Sequence, residues 1–187
     1  VTVSRGLGDV YKRQVITADV VASNGIVHIV DSVIGLPTVV TFAVADPNFE
    51  ILVQALTRDD LTMDFVGLLN SSTSPPTPLT VFAPVNNAFV NLLDELGLNG
   101  LNDIDEPTLS AVLTYHVVTG ANQLSINLSD GMEFTTAGGG ALLFNFGDNG
   151  EGILTDNNGR TSNIVAVDVQ ANNCLLYTSD AADERSG

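Results

Sequence analysis

The chain has a single cysteine, Cys174, no tryptophan and a single lysine, Lys12. Each scarcity excludes something. One cysteine rules out an intrachain disulfide, and because cysteine poverty suits secreted bacterial and cytosolic chains alike, it leaves the compartment open. Missing tryptophan and only 3 tyrosines argue against an aromatic sugar-stacking platform. Basic residues number 6 against 22 acids, a formal charge of -16. Between Val15 and Asn173 the basic side chains are Arg58 and Arg160 alone. Such a surface repels phosphate backbones and anionic membranes, which excludes nucleic acid as a partner. No uncharged apolar run approaches the roughly 20 residues of a membrane helix, so no membrane insertion is expected. Dispersed carboxylates with few lysines read first as a solvating surface.

What is present is apolar and periodic, so disorder does not explain the acidity. At 187 residues the chain has room for one domain with extra pieces. A domain of that size buries roughly 70% of its unfolded surface and needs neither metal nor disulfide to fold. Val15 to Asp19 and Ile26 to Asp31 are β-branched and apolar, and Ser23-Asn24-Gly25 between them signals a turn. Asp46-Pro47 places a capping acid before a proline, and Phe49, Leu52, Val53 and Leu56 follow at helical spacing. A second helix is expected from Asp59 or Asp60, using Leu61, Phe65, Leu68 and Leu69. The Ser/Pro run from Ser71 to Pro78 cannot continue it.

Leu79 to Ala83 reads as a strand. A helix capped by Asn86 follows, with Phe89, Leu92, Leu93 and Leu96 on its stripe and Gly97 at its end. Glu106-Pro107 opens another helix, with Leu109, Val112 and Leu113 facing inward. After Tyr115-His116-Val117-Val118 the period turns extended. Strands are expected at 132–136, 142–146, 153–155 and 164–168, with Gly138-Gly139-Gly140 as a turn and Asn158-Gly159 as the last hairpin turn. Helices gather in the first half and strands in the second, which predicts an α+β fold.

The motif "TVFAPVNNAF" (Thr80 to Phe89), the block "LTYHVVTG" (Leu113 to Gly120) and the phrase "NGIVHIVD" (Asn24 to Asp31) together resemble the three signature blocks of the fasciclin-like, or FAS1, domain family. The resemblance covers residues 15–173 and is nearest the bacterial members. It implies a β-wedge or sandwich of short strands flanked by helices, displayed extracellularly or on the cell surface, usually in tandem copies. It implies cell adhesion or matrix association through protein or glycan contact, with no catalysis and no cofactor. Expected partners are an extracellular protein or polysaccharide matrix and neighbouring FAS1 copies. The alternative is a carbohydrate-binding or spacer module attached to a secreted enzyme.

The order of blocks departs from the family pattern. "VITADVVASN" near the start recurs as "IVAVDVQANN" near the end, at the constant spacing that carries Asp19 to Asp168, and the match breaks at Cys174. Residues 15–37 are therefore expected to be the closing strands of a preceding FAS1 domain. Residues 38–173 are expected to be a FAS1 domain lacking its last strand. Residues 1–14 and 174–187 show no clear period and resemble translated adapter sequence, so both are set aside as a non-native leader and tail. An absent last strand would leave a sheet slot open, and Ile26 to Asp31 has the right character to fill it, in cis or from another copy.

Tyr115 and His116 are the candidate binding residues, as the resemblance implies. A partly buried histidine bonded to local backbone is the competing structural reading. His28 reads as a strand histidine. No Gly-x-Ser-x-Gly elbow and no phosphate loop occurs. The acid-rich turns "GDNGEG" and "TDNNGR" do not match a calcium loop, so no metal site is assigned. Asn70-Ser71-Ser72 and Asn127-Leu128-Ser129 match the N-glycosylation triplet, which carries no meaning in a bacterial source.

Overall fold

The computed structural model describes residues 15–31, 37–71, 78–172 and 174–181. The expected leader, the Ser/Pro run at 72–77 and the last six residues of the expected tail lie outside them. The chain divides into two units, Val1–Leu36 and Pro37–Gly187.

In the first unit, β1 (Val15–Ala22) and β2 (Gly25–Val30) form a two-stranded antiparallel hairpin. Pairing runs from Val15 with Val30 to Ala22 with Gly25, and is broken by bulges on either side of Thr17. Asp19 sits in the bulged stretch with φ 58, a left-handed conformation that a short polar side chain tolerates.

The second unit begins with α1 (Val39–Ala45), α2 (Glu50–Leu56) and α3 (Phe65–Asn70). Thr38 caps α1 by accepting the Thr41 N–H. The Asp46 carboxylate takes the Asn48 N–H and starts a 3₁₀ turn at Pro47, which runs on into α2. The third helix starts later than the expected Asp59 or Asp60. Asp64 is its cap, accepting the Gly67 N–H at 2.7 Å. Asp60 is engaged instead by Arg58, whose Nη1 also donates to the carbonyls of Leu101 and Ile104.

Next come β3 (Leu79–Pro84), α4 (Asn86–Leu96), α5 (Glu106–Tyr115) and β4 (Val117–Thr119). Asn86 is the first residue of α4 and not its cap. Its Oδ1 accepts the Ile51 N–H and its Nδ2 donates to the Pro47 carbonyl, tying α4 to the start of α2. Gly97 ends α4 with φ 68, where a side chain would be strained. The strands β5 (Met132–Thr135), β6 (Ala141–Phe146), β7 (Gly152–Thr155), β8 (Thr161–Gln170) and β9 (Cys174–Ala181) complete the unit.

The seven-stranded sheet has the order β4-β3-β9-β8-β7-β6-β5. A bridge between Val118 and Thr136 links its two ends, so the sheet curls almost closed. Two cores result. Helix residues Phe49, Leu52, Phe65, Phe89 and Leu109 pack on one face with Leu79 and Val81. Phe82, Phe134, Phe144 and Leu154 fill the inside of the curl.

The slot expected to be open is filled. β9 lies between β3, to which it is parallel, and β8, to which it is antiparallel. Cys174 and Leu176 enter the helix-side core, while Leu175 and Tyr177 enter the other. Tyr177 and Leu175 are both 0% exposed. A strand buried on both faces reads as an unbroken apolar run, which is why "CLLY" showed no period in the sequence. Burying such side chains stabilises the unit by about 1.5–3 kcal/mol each. Against that gain, one Asp180 carboxylate oxygen is buried without a hydrogen bond.

Candidate functional site

Tyr115 ends α5 and His116 is its C-cap, so the turn into β4 fixes both rings. The Tyr115 hydroxyl donates to the Ala141 carbonyl and accepts the Asn157 N–H at 3.4 Å. The edge of its ring lies against Gly140, where a Cβ would come within 2.3 Å of Cε2. Glycine at 140 is therefore required by close approach. Gly139 beside it has φ 82 and makes the turn between β5 and β6.

His116 Nδ1 lies 2.7 Å from the Val112 carbonyl. That contact fixes the tautomer, with Nδ1–H donating and Nε2 left as the acceptor. Burial pushes the His116 pKa below its ordinary value, the Val112 carbonyl partly offsets this, and the charge of Arg160 adds to the fall. The ring is neutral at pH 7.

Both residues line a cavity of about 540 Å³. Its apolar wall is made by Phe82, Phe89, Leu92, Leu142 and Leu154, drawn from β3, α4, β6 and β7. Its rim is charged. Arg160, in the turn between β7 and β8, donates from Nε to Asp156 at 2.6 Å and from Nη1 to Glu95 of α4 at 3.0 Å. Hydrogen bonding to Asp156 raises the Arg160 pKa further, so it stays charged. The Asp156 carboxyl lies below its usual value because backbone and side-chain hydrogen bonds from Arg160 outweigh its burial. An apolar cavity of several hundred Å³ with a few placed polar groups has the build of a binding site.

The structure thus brings Tyr115 and His116 to one cavity, both of them partly buried. Sequence reasoning passed over Glu95 and Arg160. The signal was available in part, since Arg160 is one of only two basic residues between Val15 and Asn173. His28 lies in the other unit, half exposed, with its Nδ1 accepting the Asp19 N–H at 3.3 Å. Cys174 is buried, and burial pushes its thiol pKa up to about 12. Among the described residues no cluster of three or more His, Cys, Asp or Glu could hold a metal ion. Nor is any single described helix long and apolar enough to cross a membrane.

Comparison with known proteins agrees with this architecture. The fasciclin domain family model matches residues 47–182, which includes β9. The chain is 31% identical over 149 residues to the uncharacterized protein sll1735 of Synechocystis, covering 78% of this chain and 96% of that protein. It is 29% identical over 143 residues to protein sll1483 of the same organism, covering 76% of this chain and 71% of that one. Among solved structures, the FAS1 domain pair of the insect cell adhesion molecule fasciclin I superposes with a TM-score of 0.57 at 20% identity. That match covers 90% of this chain and spans 58% of the domain pair.

Proposed function

The chain belongs to the fasciclin domain family, and we propose that it is an extracellular or cell-surface module that mediates adhesion or matrix association by protein or glycan contact, without catalysis. The observation that carries this reading is the 540 Å³ cavity on which Tyr115 and His116 converge. It offers a recognition pocket with an apolar wall and an acidic rim, suited to a neutral or cationic group of a protein or polysaccharide. Among the described residues no hydroxyl or thiol is hydrogen-bonded to the His116 ring, as a nucleophile and its base would be.

The test is binding of the purified chain to a glycan array and to immobilised extracellular matrix preparations, beside the Ala111→Trp variant. Ala111 is an exposed residue at the cavity mouth on α5, so the variant fills the mouth without entering the core. Retention of the wild type and loss for the variant is the expected result. Failure of the wild type to bind any of these surfaces would remove the adhesive reading.

A further inference from the structure

The two repeated phrases fold into the same hairpin. In β8–β9, Ile164 pairs with Ser179, Ala166 with Thr178, Val169 with Leu176 and Gln170 with Leu175. In β1–β2 the corresponding pairs are Val15 with Val30, Thr17 with Ile29, Val20 with Val27 and Val21 with Ile26. Register and bulges coincide pair for pair, and Asp19 and Asp168 share φ 58. Position by position, Ile26 corresponds to Leu175, Val27 to Leu176 and His28 to Tyr177.

Their surroundings differ completely. Leu175, Leu176 and Tyr177 are buried, whereas Ile26 and Val27 are 61% and 52% exposed. Val15, Ile16, Val21 and Ile29 are exposed as well. A two-stranded hairpin with apolar residues on both faces is marginal by itself. Ile26 and Val27 are β-branched where β9 has Leu175 and Leu176, which favours them in a strand.

We propose that β1–β2 of one copy of the chain exchanges for β8–β9 in a second copy, entering the sheet beside β3. β2 would then run parallel to β3, with Ile29 opposite Ala83 where Thr178 now stands. Asp19 would take the place of Asp168, which accepts the N–H and hydroxyl of Ser125. A second copy is favoured over closure within one chain by chain length. Pro37 is held at the start of β9, through the Asn172 N–H to the Pro37 carbonyl at 2.9 Å. The end of β2 would stand at Ser179, roughly 17 Å further along the strand. The seven steps from Val30 to Pro37 span about 25 Å at full extension, and because both faces of that slot are packed core, a link within one chain would have to detour around them with little slack. Exchange of like elements between copies needs no new interface.

The test uses the full chain with Leu175→Asp, Ile26→Asp and both together. Expected for Leu175→Asp is a folded dimer by light scattering, with a thermal midpoint that rises with protein concentration. Expected for Ile26→Asp is a monomer with the wild-type midpoint, and for the pair, loss of the cooperative transition. If Leu175→Asp gives one result whatever stands at position 26, whether unfolded or a folded monomer, the exchange is overturned. A second measurement leaves β9 unperturbed. Ile29→Cys and Ala83→Cys, combined with Cys174→Ser, should form an interchain disulfide on oxidation, in a fraction that grows with concentration. No crosslink, or one confined to single chains, overturns the proposal.

Discussion

The hairpins β1–β2 and β8–β9 share register, bulges and a left-handed aspartate, yet one is exposed along its length and the other closes a core. The difference lies in what flanks them. β9 has β3 on one side, helices on one face and the inside of the curled sheet on the other. β2 is hydrogen-bonded only to β1 among the described strands. Hairpin geometry is thus a local property, set by the alternation, the turn and a residue tolerant of positive φ. Stability comes from the surroundings.

The contrast is sharpest at the paired positions Tyr177 and His28. Tyr177 packs on Phe82 at 5.3 Å between ring centroids, and its hydroxyl donates to the Gln123 carbonyl. Tyr177→Ala should destabilise the second unit by about 3–5 kcal/mol in chemical denaturation. His28→Ala, at the equivalent place, should change it by less than about 0.5 kcal/mol. Equal effects would mean that β9 is not packed as described. Arg58 extends the comparison to polar groups, since its side chain is only 12% exposed and holds two backbone carbonyls and Asp60. Arg58→Met should cost about 2–4 kcal/mol, whereas the half-exposed Arg160 should cost less than about 1 kcal/mol on the same change.

Glycines give an intermediate effect. Gly140→Ala drives a methyl into the Tyr115 ring and should cost about 1–3 kcal/mol. Gly25→Ala in the first hairpin meets nothing within 4 Å and should be nearly neutral. The smallest effect is a pH dependence. The folded-state pKa of His116 lies below its unfolded value of about 6.5. The unfolded chain therefore takes up a proton first as pH falls. The contribution of neutral His116 is complete above that value and declines below it, until the folded histidine also protonates. A stability-versus-pH series from 7.5 to about 5 should fall, and His116→Gln should flatten the slope. The carboxyls of Asp105, Glu106 and Asp168, lowered by hydrogen bonds, lose their contribution only below about pH 4.

Local signals were legible in the sequence, and long-range ones were not. The stripe Phe49, Leu52, Val53 and Leu56, the Gly97 stop and the shift to strands after His116 stand as expected. The Tyr-His block marked the cavity, but not its walls, which come from four elements far apart in the chain. Asn86 misled because it has the chemistry of a cap, which it spends on a neighbouring helix. Three aspartates stand near the start of α3: Arg58 engages Asp60, and Asp64 is the one whose carboxylate reaches the Gly67 N–H. α1 escaped notice because Val39, Val40 and Thr41 are β-branched, and its helicity comes from packing. β9 is buried on both faces and so has no alternation to detect, while its likeness to adapter sequence points away from a strand.

Cys174 tests the central claim, that Cys174–Ala181 closes the sheet of this unit. It is the single thiol, it is 5% exposed, and it is the first residue of β9. In dilute native protein, below the concentration at which copies exchange hairpins, its reaction with a thiol reagent should be slower than that of the unfolded chain by at least a hundredfold and should track unfolding as denaturant is added. Labelling at the unfolded-chain rate without denaturant would contradict the account.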